Sequence, residues 1–358
     1  MKVAIISGAR GMDASWLAEL LLSKGMKVIA FERMTGLPDY RNISHLFSNE
    51  NYILENADLC DGSSVARLVI KYQPDYFFNV AASSFVGSSY TEPVTVWNNN
   101  STGVINCLEA IRNHKKDCRF VQCSTSERYG NVKPEEVPLN ENSPARPVSP
   151  YAAAKVAAEH IVRVYKTSYG IHASIAISFN HTGTRRSPHF VERKITSWVG
   201  NAIAITEKMI STDKSFRNKL ITPEAGLAIA IERGLVEKLK LGYMEAKRDF
   251  TDARDIVNGL LMLADHNEPE EVVFCSGTTY SIREILSTAF GFVGIEDWTP
   301  FVAQDAAFCR PSEVPLLLGD NSKAKSVLNW VPTKTFEDII QEMVSNDIEL
   351  STKAIYHV

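Results

Sequence analysis

No block of lysine or arginine stands out in the 358 residues, and the formal charge of -4 with a pI near 6.1 gives neither a nucleic acid nor a membrane surface any support as a partner. No apolar run approaches the length of a bilayer span, and the chain opens directly on a strand with no signal-peptide architecture, so the expected location is the cytoplasm. The six cysteines (Cys60, Cys107, Cys118, Cys123, Cys275, Cys309) form no C-x-x-C pair and no disulfide-like spacing; they read as reduced core residues. The eight histidines make no H-x-x-x-H or Cys/His set, which leaves a metal site without basis. Solenoid repeats and low-complexity linkers are missing as well. Core material is plentiful: 45% apolar residues at this length can fill one large domain or two connected ones, around a small partner molecule.

The chain begins as strand, glycine turn, helix. Lys2 to Ser7 is a short apolar run, Gly8 and Gly11 punctuate the turn that includes Met12 and Asp13, and WLAELLLSKG follows with helical patterning. Glycine in such a turn lets the backbone approach a pyrophosphate, whose charge then faces the helix amino terminus. A plain strand-to-helix turn would look similar, but the context favours a dinucleotide. A second strand over Lys27 to Phe31 ends at Glu32-Arg33, where an acid would suit the ribose of NAD, and Arg33, with Arg41, the 2′-phosphate of NADP. Charge complementarity favours NADP. Asn51 to Ala57 reads as a third strand; the Asp58 and Leu59 that follow reach a cofactor-facing loop, or Asp58 merely caps a helix beginning near Gly62. Asp75 to Asn79 is a fourth strand, followed by small residues from Val80 through Ala81, Ser83 and Ser84 that allow close backbone approach to a flat ring, and then by a helix over Asn99 to Arg112.

Arg119 to Cys123 forms the fifth strand, with Thr125, Ser126 and Glu127 just past its carboxyl end, where open parallel sheets place their ligands. Tyr151 and Lys155 stand one helical turn apart, on the same face of a helix. A free tyrosine titrates near pH ~10, and an adjacent fixed cation favours the phenolate, which could take a proton from a sugar hydroxyl. The same spacing also occurs in ordinary amphipathic helices. Alternating strands and helices through Lys155 predict a doubly wound parallel sheet. Ala173 to Phe179 supplies a sixth strand, and beyond it the alternation fails, so a substrate lobe starts there. It carries the basic cluster Arg185, Arg186, Arg193 and Lys194, suited to phosphates or to a solvated surface, and a long helical stretch to Lys240. Val272 to Cys275 returns to the sheet, and helices close the chain near Met343.

The stretches GARGMDAS, VAASSFV, CSTSERYG, SPYAAAK, SFNHTGTRR, ERKIT, EAKRDFTDARD and RPSEVPLLLGDNSKAKSVLNW, in that order, resemble the GDP-mannose 4,6-dehydratase family of the extended short-chain dehydrogenase/reductase superfamily. The resemblance runs from about Val3 to Asp347. It implies an α/β fold, a Rossmann doubly wound parallel sheet over 1–178 with return segments near 251–276. A smaller C-terminal α/β domain over 179–250 and 277–346 would hold the sugar nucleotide. It further implies bound NADP, a GDP-sugar substrate, and a homodimer or homotetramer. Matched residue by residue, Thr125, Ser126, Glu127, Tyr151 and Lys155 fall on the family's catalytic positions. Gly8, Gly11, Met12, Asp13, Arg33, Asp58, Leu59, Ala81, Ser83, Tyr151, Lys155, His181 and Arg186 fall on cofactor contacts. Ser84, Asn180, Val191, Lys194, Gly242, Arg248, Arg310 and Glu313 fall on substrate contacts, although Glu313 could equally form a surface salt bridge.

The chain departs from the family at Ala14 (third glycine of the turn), Met34 (a second arginine), Phe85 (a histidine near the sugar) and Tyr243 (an asparagine near the nucleotide). The segment from about Ser197 to Leu227 is longer than its counterpart, and could cover the nucleotide or build a subunit contact. These changes gather on the substrate side, which brings a GDP-manno-heptose into question beside GDP-mannose. A GDP-keto-sugar reductase or epimerase of the same fold, and a non-catalytic dinucleotide sensor, are the competing expectations.

Overall fold

The computed structural model describes residues 1–356 except Leu37, Asn218, Arg310 and Pro311. The chain divides into two units. The first comprises Met1–His181, Asp249–Thr278 and Leu316–Thr333; the second comprises Thr182–Arg248, Thr279–Pro315 and the residues from Lys334 onward. The return of Leu316–Thr333 lies inside the 277–346 span expected for the second domain. It has a physical cause: the Trp330 indole donates to the Asp255 carbonyl at 2.8 Å, and Thr333 donates through both its amide and its hydroxyl to the Asp255 carboxylate.

In the first unit Val3–Ser7 (β1), Lys27–Glu32 (β2), Tyr52–Asn56 (β3), Tyr76–Asn79 (β4), Arg119–Cys123 (β5), Ala173–Ser178 (β6) and Glu271–Phe274 (β7) form a seven-stranded sheet in the order β7-β6-β5-β4-β1-β2-β3. Every pairing is parallel, with Val3 opposite Lys27, Ala4 opposite Tyr76, Tyr76 opposite Arg119, Phe120 opposite Ala173 and Ile175 opposite Glu271. The strands read as continuous apolar runs because both faces are buried. Ala4, Ile6, Val28 and Ala30 join Leu17, Leu21, Ile256 and Leu260 in one core, while Ile5, Ile29, Phe77 and Phe120, pointing the other way, are fully buried too.

The helices include Met12–Ser23 (α1), Gly62–Tyr72 (α2), Gly103–His114 (α3), Pro150–Tyr169 (α4), Ala253–Asp265 (α5) and Ser322–Leu328 (α6). α1 packs against α5, and α2, α3 and α4 pack in series. Asp61, not Asp58, caps α2, accepting from the Ser63 amide at 3.0 Å. The helix expected over Asn99 to Arg112 begins earlier: Pro93–Trp97 is α-helical, Asn98–Thr102 is a π-helical turn, and the chain is α-helical again from Gly103. Of the cysteines expected in the core, Cys60 and Cys309 are exposed.

In the second unit the helical stretch expected to reach Lys240 is broken. A helix spans Val191–Thr212 and another Pro223–Glu232, followed by a strand at Leu239–Leu241 that pairs in parallel with Val302–Gln304. The break has two signals: Asp213 turns back to accept from the Ser215 amide at 2.8 Å, and Pro223 cannot continue a preceding helix. The segment from Ser197 to Leu227 is therefore largely helix. Its first helix packs along a final helix, Phe336–Tyr356, that runs past the expected end near Met343. Among the described residues, no helix is long and apolar enough to cross a membrane.

Those two long helices share a buried ion pair, Arg193 to Asp347 at 2.6 Å. Burial pushes the Asp347 carboxyl up to about 6, the Arg193 charge opposing the rise. Because the folded value lies above the unfolded one, this group's contribution is fully present below pH ~4 and is lost as pH rises through 6. Comparing the wild type with Asp347→Asn by urea unfolding should therefore show a stability difference that shifts against the wild type by about 2–3 kcal/mol between pH 4 and pH 7. A difference independent of pH would rule this out.

Candidate active site

β1 is flanked by β2 on one side and β4 on the other, so the connections leaving it diverge and open a crevice at the strands' carboxyl ends. The crevice floor is narrow by construction. Gly8 follows β1 at φ +74°, and a Cβ there would lie 3.0 Å from the Ala81 Cβ. Gly11 caps α1 without any side chain bonding the helix amides. This cradle, too tight for side chains and faced by a helix amino terminus, fits the pyrophosphate of a dinucleotide. Met12 is buried; the Asp13 carboxylate lies 3.1 Å from Nε2 of His181, whose Nδ1 lies 2.9 Å from the Phe179 carbonyl, so two expected cofactor residues meet. Ala81 donates its amide to the Ser7 hydroxyl at 3.0 Å, and the Ser83 backbone is held by Asn100, its hydroxyl by Asn99.

At the far end of β2, Glu32 is bonded to Arg10, which also donates to Thr35 at 3.2 Å; Arg41 is paired with Asp39 at 2.6 Å; and Arg33 is exposed. Asp58 accepts from the Cys60 amide at 2.9 Å, and Leu59 is packed under Gly103. Neither Arg10 nor the asparagine pair was among the expected site residues.

A buried polar chain links this cradle to the Tyr151 helix. The Ser7 hydroxyl donates to Asn79 at 2.7 Å, Asn79 donates to Gln122 at 2.8 Å, and Gln122 donates to the Cys123 carbonyl at 2.8 Å. The Lys155 ammonium donates to that same carbonyl. Thr125 caps the turn Ser126–Tyr129, its hydroxyl accepting from the Glu127 amide at 3.2 Å, and the turn packs against α4. Thr125, Ser126, Glu127, Tyr151 and Lys155 are each 9% exposed or less, all in the first unit, on a turn and a helix that pack together. Burial lowers the pKa of Lys155, while Cys123, Glu159 and Asp13 favour its charged form. Tyr151 packs against Val86 and Val96.

The expected substrate residues are spread over both units. Ser84 is exposed and Asn180 half-buried in the first. In the second, the Lys194 ammonium lies 3.3 Å from the Phe308 ring centroid and donates to the Lys240 carbonyl at 2.7 Å, and Gly242 lies against the Phe308 backbone. Arg248 is buried and donates to the Lys247 carbonyl at 3.0 Å; Val191 and Glu313 are half-buried. Arg186, expected on the cofactor, is paired with Glu192 at 3.0 Å within the second unit. Arg310 lies outside the described residues. Among those described, no group of histidine, cysteine, aspartate and glutamate could hold a metal ion.

A parallel seven-stranded sheet, a glycine cradle at its switch point and a buried Tyr151/Lys155 helix beside β5 define a Rossmann-fold protein of the short-chain dehydrogenase/reductase class. Solved structures agree in fold. A dTDP-glucose 4,6-dehydratase from Bacillus anthracis in complex with NAD superposes with a TM-score of 0.77 at 18% identity, covering 97% of this chain and 96% of that one. RMD from Pseudomonas aeruginosa complexed with NADPH gives 0.74 at 20%, covering 98% and 100%. The chain belongs to the GDP-mannose 4,6-dehydratase family: the profile of that description matches residues 5–219 and 209–343. Its relatives include the GDP-mannose 4,6-dehydratase of Vibrio cholerae serotype O1, 35% identical with 97% of this chain and 94% of that protein covered. GDP-mannose 4,6 dehydratase 2 of Arabidopsis thaliana is 33% identical, with 98% and 88% covered.

The turn bearing Glu127 ends at Gly130, φ +64°, where a Cβ would lie 1.9 Å from the Arg146 carbonyl oxygen. Gly130→Ala should lower unfolding stability by about 3–5 kcal/mol, from backbone strain and overpacking together. An unchanged urea midpoint would contradict this geometry.

Proposed function

We propose that this chain dehydrates a GDP-sugar, GDP-mannose or a close relative such as a GDP-manno-heptose, to the GDP-4-keto-6-deoxy sugar with the help of NADP. The observation that carries the reading is Glu127, buried in the same turn as Thr125 and packed on the helix of Tyr151 and Lys155, in a member of this family. Gly8, Gly11, Met12, Asp13, Asp58, Leu59, Ala81, Ser83 and His181 would hold the dinucleotide. When bound, it supplies hydride acceptance and return, which leaves the overall reaction redox-neutral. Tyr151, its phenolate favoured by the Lys155 ammonium, takes the proton from the C4 hydroxyl, and Thr125 holds the forming C4 oxygen. The ketone acidifies the neighbouring C5 hydrogen. Glu127 takes that proton and returns one to the departing C6 hydroxyl, so one water leaves. Lys194, Arg248 and Glu313 would hold the GDP moiety, with the cations on its diphosphate. We place the working protein in the cytoplasm as a homodimer or homotetramer.

The choice of NADP rests on Arg33, exposed at the end of β2, and on the neutralisation of Glu32 by Arg10, which removes a repulsion toward a 2′-phosphate. Arg33→Ala should weaken NADP binding about tenfold, one charged hydrogen bond, with NAD binding unchanged in a fluorescence titration. Equal affinity for NADP in both proteins would refute that choice. For the chemistry, Glu127→Gln should slow product release on the order of 100–10,000-fold while the protein still folds and binds GDP-mannose. The measurement is product mass across a panel of GDP-sugars that includes a GDP-manno-heptose: loss of one water at an undiminished rate would defeat the assignment. Stoichiometric consumption of NADPH would instead select the reductase.

A further inference from the structure

The turn proposed as catalytic is held from both ends by one side chain that is itself neither a proposed acid-base group nor an expected substrate or cofactor contact. Glu159, one helical turn beyond Lys155 on α4, is fully buried. Its carboxylate accepts from the Ser124 hydroxyl, the residue just before Thr125. It also lies 3.3 Å from the guanidinium of Arg128, the residue just after Glu127. Thr125, Ser126 and Glu127 are thus the span between two tethers that end on a single carboxylate. That carboxylate is anchored in turn: Arg163 lies 3.3 Å from it and is bonded to Glu271 on β7 through two bonds of 2.7 Å. Arg128–Glu159–Arg163–Glu271 is a charge-balanced row running from the turn into the sheet edge. The Arg128 side chain is 6% exposed; it is ion-paired with Glu159, its guanidinium carbon lies 5.3 Å from the Tyr129 ring centroid, and its Nε and Nη1 are buried without hydrogen-bond partners among the described residues. So costly an arrangement fixes position.

We infer that Glu159 is the positioning residue of this site: by clamping Ser124 and Arg128 it sets where Thr125 and Glu127 stand relative to Tyr151 and Lys155 on the same helix. The inference deepens the dehydratase reading and rests on it for its kinetic consequence. Through Thr125 the clamp also bears on the C4 oxygen, but there the turn only supports a proton removal that Tyr151 performs, whereas the elimination takes its acid-base group, Glu127, from the turn itself. Loosening it should therefore separate the two half-reactions.

The test uses the full chain with NADP and GDP-mannose in single turnover, following the near-ultraviolet band of reduced nicotinamide and the product mass. In Glu159→Gln, dehydration should slow about 10–100-fold, the cost of a misplacement near 1 Å. Cofactor reduction, which draws on Thr125 and on the Lys155 ammonium, should slow less than dehydration, by about tenfold at most, so that reduced cofactor accumulates. Both steps at wild-type rates, or both slowed alike as a mere staple would produce, would overturn the inference while leaving the dehydratase reading intact. Should Glu159→Gln not fold, Ser124→Ala cuts only the leading tether, strands no charge, and should show the same imbalance at smaller size. Hydrogen exchange covers the remaining case. If the wild type converts no GDP-sugar the functional reading falls, and the clamp then stands or falls on the amides of residues 125–128. Those should exchange about tenfold faster in either variant, with β5 unaffected, for local opening of a turn freed from its tether; unchanged exchange would reject the clamp.

Discussion

The hydrogen-bonded row Ser7–Asn79–Gln122–Cys123–Lys155 is the constraint from which the rest of the site takes its shape. It crosses β1, β4 and β5 at their carboxyl ends, next to the buried apolar residues Ile6, Phe78 and Val121. Each member is tolerable only because the next one satisfies it: a neutral hydrogen bond adds about 1 kcal/mol net, whereas a buried donor left unmade costs about 1–3 kcal/mol. Slipping one strand by one residue would turn its side chain to the other face and break the links that side chain makes. The register that closes the row also sets Gly8 against Ala81 and brings the Lys155 ammonium to β5. Cradle and lysine are therefore one object.

Electrostatics around that lysine work against each other in a useful way. Desolvation disfavours the ammonium, and the Cys123 carbonyl with the charge of Glu159 counters it. A lysine on open surface would be a more dependable cation but a poorer neighbour for a phenol, because water would screen the attraction. In the protein interior the same charge acts through a lower effective dielectric. The carboxylate that steadies the ammonium also bonds the turn carrying Thr125 and Glu127, so charge balance and placement are met by the same group.

Much of this was legible in the residues. Seven parallel strands follow from short apolar runs between helical patterns, and the tyrosine and lysine follow from their spacing. What was hidden has physical reasons. Asn99 and Asn100 stand in a stretch that reads as helix, and only the poor helix propensity of three successive asparagines hints at the π turn that aims two of them at Ser83. Asp58 and Asp61 are both plausible caps by type, and three residues decide between them. Arg10 inside a glycine turn looks like a surface residue until its partner Glu32, distant in sequence, is placed beside it. Glu159 reads as a polar position of an amphipathic helix; its burial depends on Arg128 and Arg163 arriving from elsewhere. Pairings of this kind are long-range facts, and periodicity carries only short-range ones.

The division of labour between the two units bears on how far family membership reaches. All five expected catalytic residues belong to the first unit, locked by its sheet register, while the residues expected on the nucleotide lie mostly in the second. The departures fall in both units, and Phe85, next to the expected substrate residue Ser84, is exposed in the first. Ala14 is a buried methyl in α1 that the core accommodates, and Met34 is exposed beyond β2. Tyr243 and the long Ser197–Leu227 segment belong to the second unit, the latter continuing the helix Val191–Thr212 that packs along Phe336–Tyr356. A surplus segment stabilised by its own helix packing is an addition to the fold and does not require the first unit's chemistry to change. Changes in the second unit can thus accumulate while the proposed proton-transfer groups of the first stay where the sheet holds them, because function follows the local site and not the fold as a whole.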